Sequence, residues 1–139
     1  MPVYFHCENI NFTPSNKSKV SSWIEKVFSE NNKNTSSINI IFCTDDYLLK
    51  INKKHLNHNY YTDIITFDNS ISNDVSADLF ISIDRVKDNA NSLKINFNTE
   101  LHRVIIHGIL HLCGYNDKLE KEKTQMRSLE DKYLSKLKL

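Results

Sequence analysis

Apolar positions in this chain follow two periods that take turns along its length. Val3, Phe5 and Cys7 alternate with polar or amphipathic residues, the period of two that predicts a short strand. After Pro14, residues Val20, Trp23, Ile24, Val27 and Phe28 recur at helical spacing, with Ser15 or Asn16 available to cap the helix. The polar run over residues 30–37 predicts a loop. Ile38, Ile40 and Phe42 then predict a second strand, and Thr44, Asp45 and Asp46 cap a helix carrying Leu48, Leu49, Ile51 and Asn52.

A loop rich in Asn, His and Tyr over residues 55–61 leads into the β-branched run 62–67, which predicts a central strand. Residues 68–76 predict another polar loop and 77–83 a further strand, so that these two strands can pair as a hairpin. Ser82 or Asp84 caps a helix through Val86, Ala90 and Leu93. Thr99 then begins a helix carrying Leu101, Val104, Ile105, Ile106, Ile109, Leu110 and Leu112, apolar over most of its circumference and therefore largely buried. A last helix puts Met126, Leu129, Tyr133 and Leu137 on one stripe with mixed charges opposite. The order β-α-β-α-β-β-α-α-α predicts an α+β fold with a mixed sheet of about four strands flanked by helices. With no repeat, linker or composition break, residues 1–139 read as a single domain.

The chemistry concentrates at the end of the buried helix. His107 and His111 are four residues apart, a spacing that stacks them on one face where they can share a cation. Gly114 falls where the helix should end in a left-handed cap, and the turn it permits can return Asp117 as a third ligand. Two His and one carboxylate leave a fourth tetrahedral position open, the pattern of a catalytic zinc site. The plainer alternative is a pair of polar residues on a helix, but two buried imidazoles need partners and a metal satisfies both. Cys113 faces away from the pair at its helical offset and is left out of the ligand set.

Composition narrows the rest. The chain has 139 residues, 40% hydrophobic and 25% charged, the profile of a soluble globular protein. A net charge of +1 means that any nucleic acid must be met by a local patch. Lys53, Lys54, His55, His58, Arg85 and Arg103 are the candidates for tracking an RNA backbone, with Tyr60 and Tyr61 as stacking platforms; the alternative for each is ordinary solvated surface. No apolar run approaches the roughly 20 residues that span a membrane, and the N-terminus lacks a signal peptide's pattern. Cys7, Cys43 and Cys113 are scattered and form no C-x-x-C, so they read as small buried hydrophobes in a reducing, cytoplasmic setting.

The stretch H-G-I-L-H-L-C-G-Y at residues 107–115 resembles the signature of the YbeY family of metal-dependent endoribonucleases. Thr62-Asp63-Ile64-Ile65-Thr66-Phe67 is similar to that family's T-D-V-L-S-F strand, Ala77-Asp78-Leu79 to its G-D-I, and Ile51-Asn52 falls where the family has Leu-Asn. The resemblance implies a zincin-like fold, one zinc ion per chain and single-stranded RNA as substrate. It also implies maturation of ribosomal RNA at the small-subunit 3′ end, ribosome quality control with ribosomal particles as partners, and no role for membrane or DNA. His107 and His111 would then be both ligands and catalytic residues. Two positions depart from the family. Its motif ends in Asp-His, the His being the third ligand, where this chain has Asn116 and Asp117. Leu56 stands where the family has an Arg before the T-D strand, leaving His55 or His58 as weaker phosphate donors.

In the implied reaction the metal acts on a phosphoryl oxygen as a Lewis acid, as a source of hydroxide, or both. Gly108 occupies the place of the Glu in the His-Glu-x-x-His of zinc proteases, which argues against a protease. Asp63 is a candidate base on condition that its strand end approaches the metal. Two rival functions remain: a ribosome-assembly or RNA-binding factor with a structural metal and vestigial nuclease activity, and another metal-dependent hydrolase.

Overall fold

The structure, a computed structural model, describes residues 2–137. Its elements are β1 (Val3–Glu8), α1 (Lys17–Glu30), β2 (Asn34–Cys43), α2 (Asp45–Leu56), β3 (Ile64–Asp68), β4 (Asp74–Ser82), α3 (Ile83–Leu93), α4 (Phe97–Leu112) and α5 (Glu120–Lys136). The strands form one four-stranded sheet in the order β1-β2-β4-β3. β1, β2 and β4 run parallel, and β3 returns antiparallel to β4 as the expected hairpin. This is the α+β, mixed-sheet fold that the pattern predicts. No helix of the described residues is long and apolar enough to cross a membrane.

The sheet is covered unequally. On one face Ile38, Ile40 and Phe42 of β2 and Val75, Ala77, Leu79 and Ile81 of β4 join the apolar sides of α1, α4 and α5 in the main core. On the other face, Cys43, Leu48 and Ile65 form a smaller cluster beneath α2, with Tyr47, Ile51, Phe67 and Phe80 against it. Alternation along each strand assigns successive residues to these two layers.

Several boundaries differ from expectation, each for a physical reason. The run 62–67 is an edge strand: β3 pairs with β4 alone. Its apolar character comes from cover on both faces, since Ile64 and Thr66 lie against α4 while Ile65 and Phe67 belong to the cluster under α2. The polar run expected as a loop is strand from Asn34 onward, paired with β4 from Asn34 opposite Asp74. Ladder bonds are made by backbone, so an exposed stretch tolerates polar side chains, here tied by Asn34 Nδ2 donating to Asp74 Oδ1 at 3.1 Å. β4 likewise begins at Asp74, inside the expected second loop. It ends at Ser82, whose Oγ accepts from the Arg85 amide at 3.1 Å and so starts α3 at Ile83. α4 begins at Phe97, two residues before Thr99, because Asn96 Oδ1 accepts from the Asn98 amide at 2.8 Å. Asn16 stands at the cap of α1 in a left-handed conformation with no side-chain bond, whereas Thr44 caps α2 through the Tyr47 amide as expected. Cys7 is exposed, not buried; burial is found at Cys43, whose thiol is pushed up to about 12. Leu137 follows the end of α5, and the buried stripe of that helix includes a carboxylate, Glu130, beside Met126 and Tyr133.

Candidate metal centre

α4 lies close enough to the sheet that only glycine fits at its point of contact. A Cβ on Gly108 would stand 2.8 Å from both Ile64 Cδ1 and Leu79 Cδ2, and 3.3 Å from Thr66 Oγ1. Position 108 therefore faces β3 and β4. A carboxylate there would have to wedge between helix and sheet.

The helix then ends in a two-bond cap. The Gly114 amide donates to the His111 carbonyl at 3.0 Å and the Tyr115 amide to the Leu110 carbonyl at 3.1 Å, with Gly114 at φ +103. These are the paired bonds of a Schellman turn, for which a left-handed residue is needed. Beyond it the chain folds back and brings Asp117 onto the His pair. His107 Nε2 and His111 Nε2 are 3.0 Å apart, and Asp117 Oδ2 is 3.2 Å from the first and 3.4 Å from the second. Zinc bonds of about 2.0–2.1 Å in a tetrahedron require ligand atoms about 3.3 Å apart. The three donors therefore already stand at the spacing a small divalent ion demands, and these residues form a group able to hold one.

What holds His107 in place was not legible in the motif. Glu130 of α5 receives its Nδ1–H at 2.8 Å, which fixes the tautomer and leaves the Nε2 lone pair facing the other ligands. Glu130 is 5% exposed, and its second oxygen accepts from Arg103 at 3.1 Å, while Arg103 also donates to Asp131 at 2.9 Å. Burial works against a charged His107, but the Glu130 hydrogen bond, with the charges of Glu130, Asp117 and Asp63, prevails and raises its pKa. The available sequence signal is a charged residue between Met126 and Tyr133 on an otherwise apolar stripe. Buried charges of that kind are paired.

Two cavities meet at the site, both bordered by Asp63, Ile64, His107 and Asp117. One extends along β3 past Thr66 and Asp68. The other, of about 360 Å³, runs between α4 and α5 past Glu100, Lys123 and Arg127. Asp63 meets the condition set for it: its strand end borders the cleft beside His107, and burial raises its pKa against the lowering influence of the His107 charge.

Of the candidate RNA contacts, Arg103 alone lines these cavities, as a support for Glu130. Arg85 lies elsewhere, bound to Asp45 at 2.8 Å and Asp88 at 2.9 Å, with its guanidinium over the Tyr61 ring. Lys53, Lys54, His55 and His58 are exposed around the end of α2. His58 stacks on Tyr60, and His55 meets the edge of Phe67. The loop holding His58 and Tyr60 is pinned by Asn52, 1% exposed, whose Nδ2 donates to the Tyr60 carbonyl at 2.9 Å. Leu56 is exposed at the same helix end.

Comparison with known proteins agrees with this geometry. The family model described as Endoribonuclease YbeY matches residues 5–138. An Endoribonuclease YbeY from Porphyromonas gingivalis is 46% identical over 132 residues, 95% of this chain and 87% of the relative. Another from Parabacteroides distasonis is 46% identical over 97% of this chain and 95% of its own length. A solution structure of TM1509 from Thermotoga maritima shares the fold, with a TM-score of 0.69 at 23% identity over 97% of this chain and 88% of the other.

Proposed function

The chain belongs to the Endoribonuclease YbeY family, and from that premise we propose that it is a metal-dependent endoribonuclease specific for single-stranded RNA. Its place is the maturation of ribosomal RNA and ribosome quality control, in the cytoplasm and on ribosomal particles, with residues 1–139 acting as one catalytic domain. His107, His111 and Asp117 hold one zinc ion per chain. The observation that carries this reading is the convergence of the three donor atoms within 3.0–3.4 Å of one another, at the meeting of two cavities.

When bound, the metal supplies Lewis-acid stabilisation to a phosphoryl oxygen and acidifies water. The chain's own groups supply the rest. Glu130 keeps the His107 proton on Nδ1, so that Nε2 remains a donor. Arg103 neutralises Glu130 from behind. Asp63, half-buried in the cleft that His107 also borders and with its pKa raised by desolvation, is the carboxylate that would take up and release a proton there. Three protein donors leave a position open, unlike the closed set of a structural zinc. Gly108, packed on Ile64 and Leu79, leaves no room for the carboxylate of a protease helix.

Incubation with single-stranded RNA and with casein, before and after chelation and zinc return, tests the assignment. RNA cleavage that stops on chelation and resumes with zinc, with casein intact, is the expected result. Casein cleavage, or RNA cleavage indifferent to chelation, would overturn it.

A further inference from the structure

β3 is the outer strand of the sheet, and its residues form one bank of the cavity that His107, His111 and Asp117 also border. The ladder to β4 shows which backbone groups lie on the free edge. The Ser82 amide donates to the Asp63 carbonyl at 2.9 Å, and the Asn69 amide to the Ser76 carbonyl at 2.7 Å. With Ile64 opposite Ile81 and Asp68 opposite Ala77, the hydrogen-bonded positions of the antiparallel pair are therefore Asp63, Ile65, Phe67 and Asn69. Ile64, Thr66 and Asp68 alternate with them, so their amides and carbonyls turn away from β4. The Ile64 carbonyl accepts from Thr62 Oγ1 at 3.5 Å. Among the described residues, no such bond meets the backbone of Thr66 or Asp68 on this side. Thr66 is half-buried, Asp68 is exposed, and both border the cavity.

In an extended residue the amide and the carbonyl stand side by side, a donor next to an acceptor. The Watson–Crick edge of every base carries the matching pair. Adenine and cytosine offer an amino group beside a ring nitrogen, and guanine and uracil a ring N–H beside a carbonyl. In a duplex that edge is already taken, so a site that requires it admits unpaired bases and does not choose among the four. Asp68, whose Oδ1 accepts from the Ser70 amide at 2.9 Å, repels phosphate here and so favours the base as the group that meets the strand. An added peptide strand fits less well, because two outward-facing residues give it too short a ladder. The border shared with His107, His111 and Asp117 places the bound nucleotide next to the bond that is cut.

We propose that the free edge of β3 at Thr66 is a subsite for the Watson–Crick edge of an unpaired base, and that this backbone contact makes the protein select single strands. This deepens the ribonuclease reading and rests on it for the identity of the polymer.

Equilibrium binding tests it apart from catalysis. Fluorescently labelled uridine hexamers, and the same hexamers methylated at N3 of every uracil, are titrated against the protein as purified, with oligomer integrity checked on a gel. Methylation removes the N3–H donor and fills the edge, while the phosphate charge is unchanged. The methylated hexamer should bind about tenfold more weakly, the equivalent of one matched hydrogen bond, with the same salt dependence. Thr66→Pro removes the outward amide without breaking a ladder bond, and should bring the two affinities together. Melting curves show whether that variant folds, and amide exchange in the wild type decides the matter without it. The Thr66 amide should exchange faster than those of Ile65 and Phe67 in the free protein. The uridine hexamer should protect it and the methylated hexamer should not. Equal binding of both hexamers by the wild type, or a Thr66 amide that uridine hexamers leave unprotected, overturns the subsite whether or not RNA is cut. Protection by casein in place of the uridine hexamer overturns it in favour of a peptide site. Preference and protection without cleavage leave the subsite standing and remove the ribonuclease reading.

Discussion

Two histidines on α4, five residues apart, live in opposite electrostatic worlds. His102 is 7% exposed and sets its ring against the edge of Trp23, with centroids 6.2 Å apart. Burial is the cause that lowers its pKa. His107, about 140° further round the helix, is half-buried and also partly desolvated, yet its pKa is raised because Glu130, Asp117 and Asp63 gather near it. Burial pushes both imidazoles toward neutrality, and the carboxylates decide which one resists. The lesson is that α4 has a structural side and a chemical side, and that α5 creates the second by contributing Glu130.

The largest effect expected from erasing this contrast is at Glu130. Glu130→Gln keeps the shape but removes the charge, making the surroundings of His107 more like those of His102. Zinc affinity, measured by competition with a coloured chelator, should fall about 10–100-fold. An unchanged affinity would mean that Glu130 serves packing alone.

A smaller effect is expected from the structural side. The folded pKa of His102 is lowered, so the unfolded chain binds its proton more readily. Stability is therefore lost as pH falls from about 6.5, the ordinary imidazole value, toward the lowered one, with a slope of at most about 1.4 kcal/mol per pH unit. His107 has the opposite sign in the metal-free protein: its contribution is whole below about 6.5 and is lost as pH rises through the raised value. Metal-free melts of His102→Leu across mildly acid pH, followed by Trp23 fluorescence, should show a weaker acid decline than wild type. An identical decline would place the acid sensitivity in other groups.

The sequence made one side of α4 far more legible than the other. His107, His111, Gly114 and Asp117 lie within eleven residues, and helix geometry with a glycine cap is enough to bring them together. Glu130 and Glu100 come from the same stretch of α4–α5 packing, and only the helix–helix register reveals which charges face inward. In the sheet, cover overrides pattern at two places. β3 has the apolar content of a central strand because α4 and α2 sandwich an edge, and the first residues of β2 are polar because the ladder that holds them is backbone. Gly108 stands where a zinc protease has its Glu, and its place against Ile64 and Leu79 makes it the contact that seats the helix.

Asp117, in the position where the resembled family carries a histidine, is the proposed third ligand of the metal centre. Zinc content of purified wild type, Asp117→Ala and Asp117→His, measured side by side with cleavage of one single-stranded RNA, tests it most directly. About one equivalent in the wild type, most of it lost in Asp117→Ala together with cleavage, and retention in Asp117→His are the expected results. Wild-type zinc and wild-type cleavage in Asp117→Ala would contradict the account and require a different third ligand.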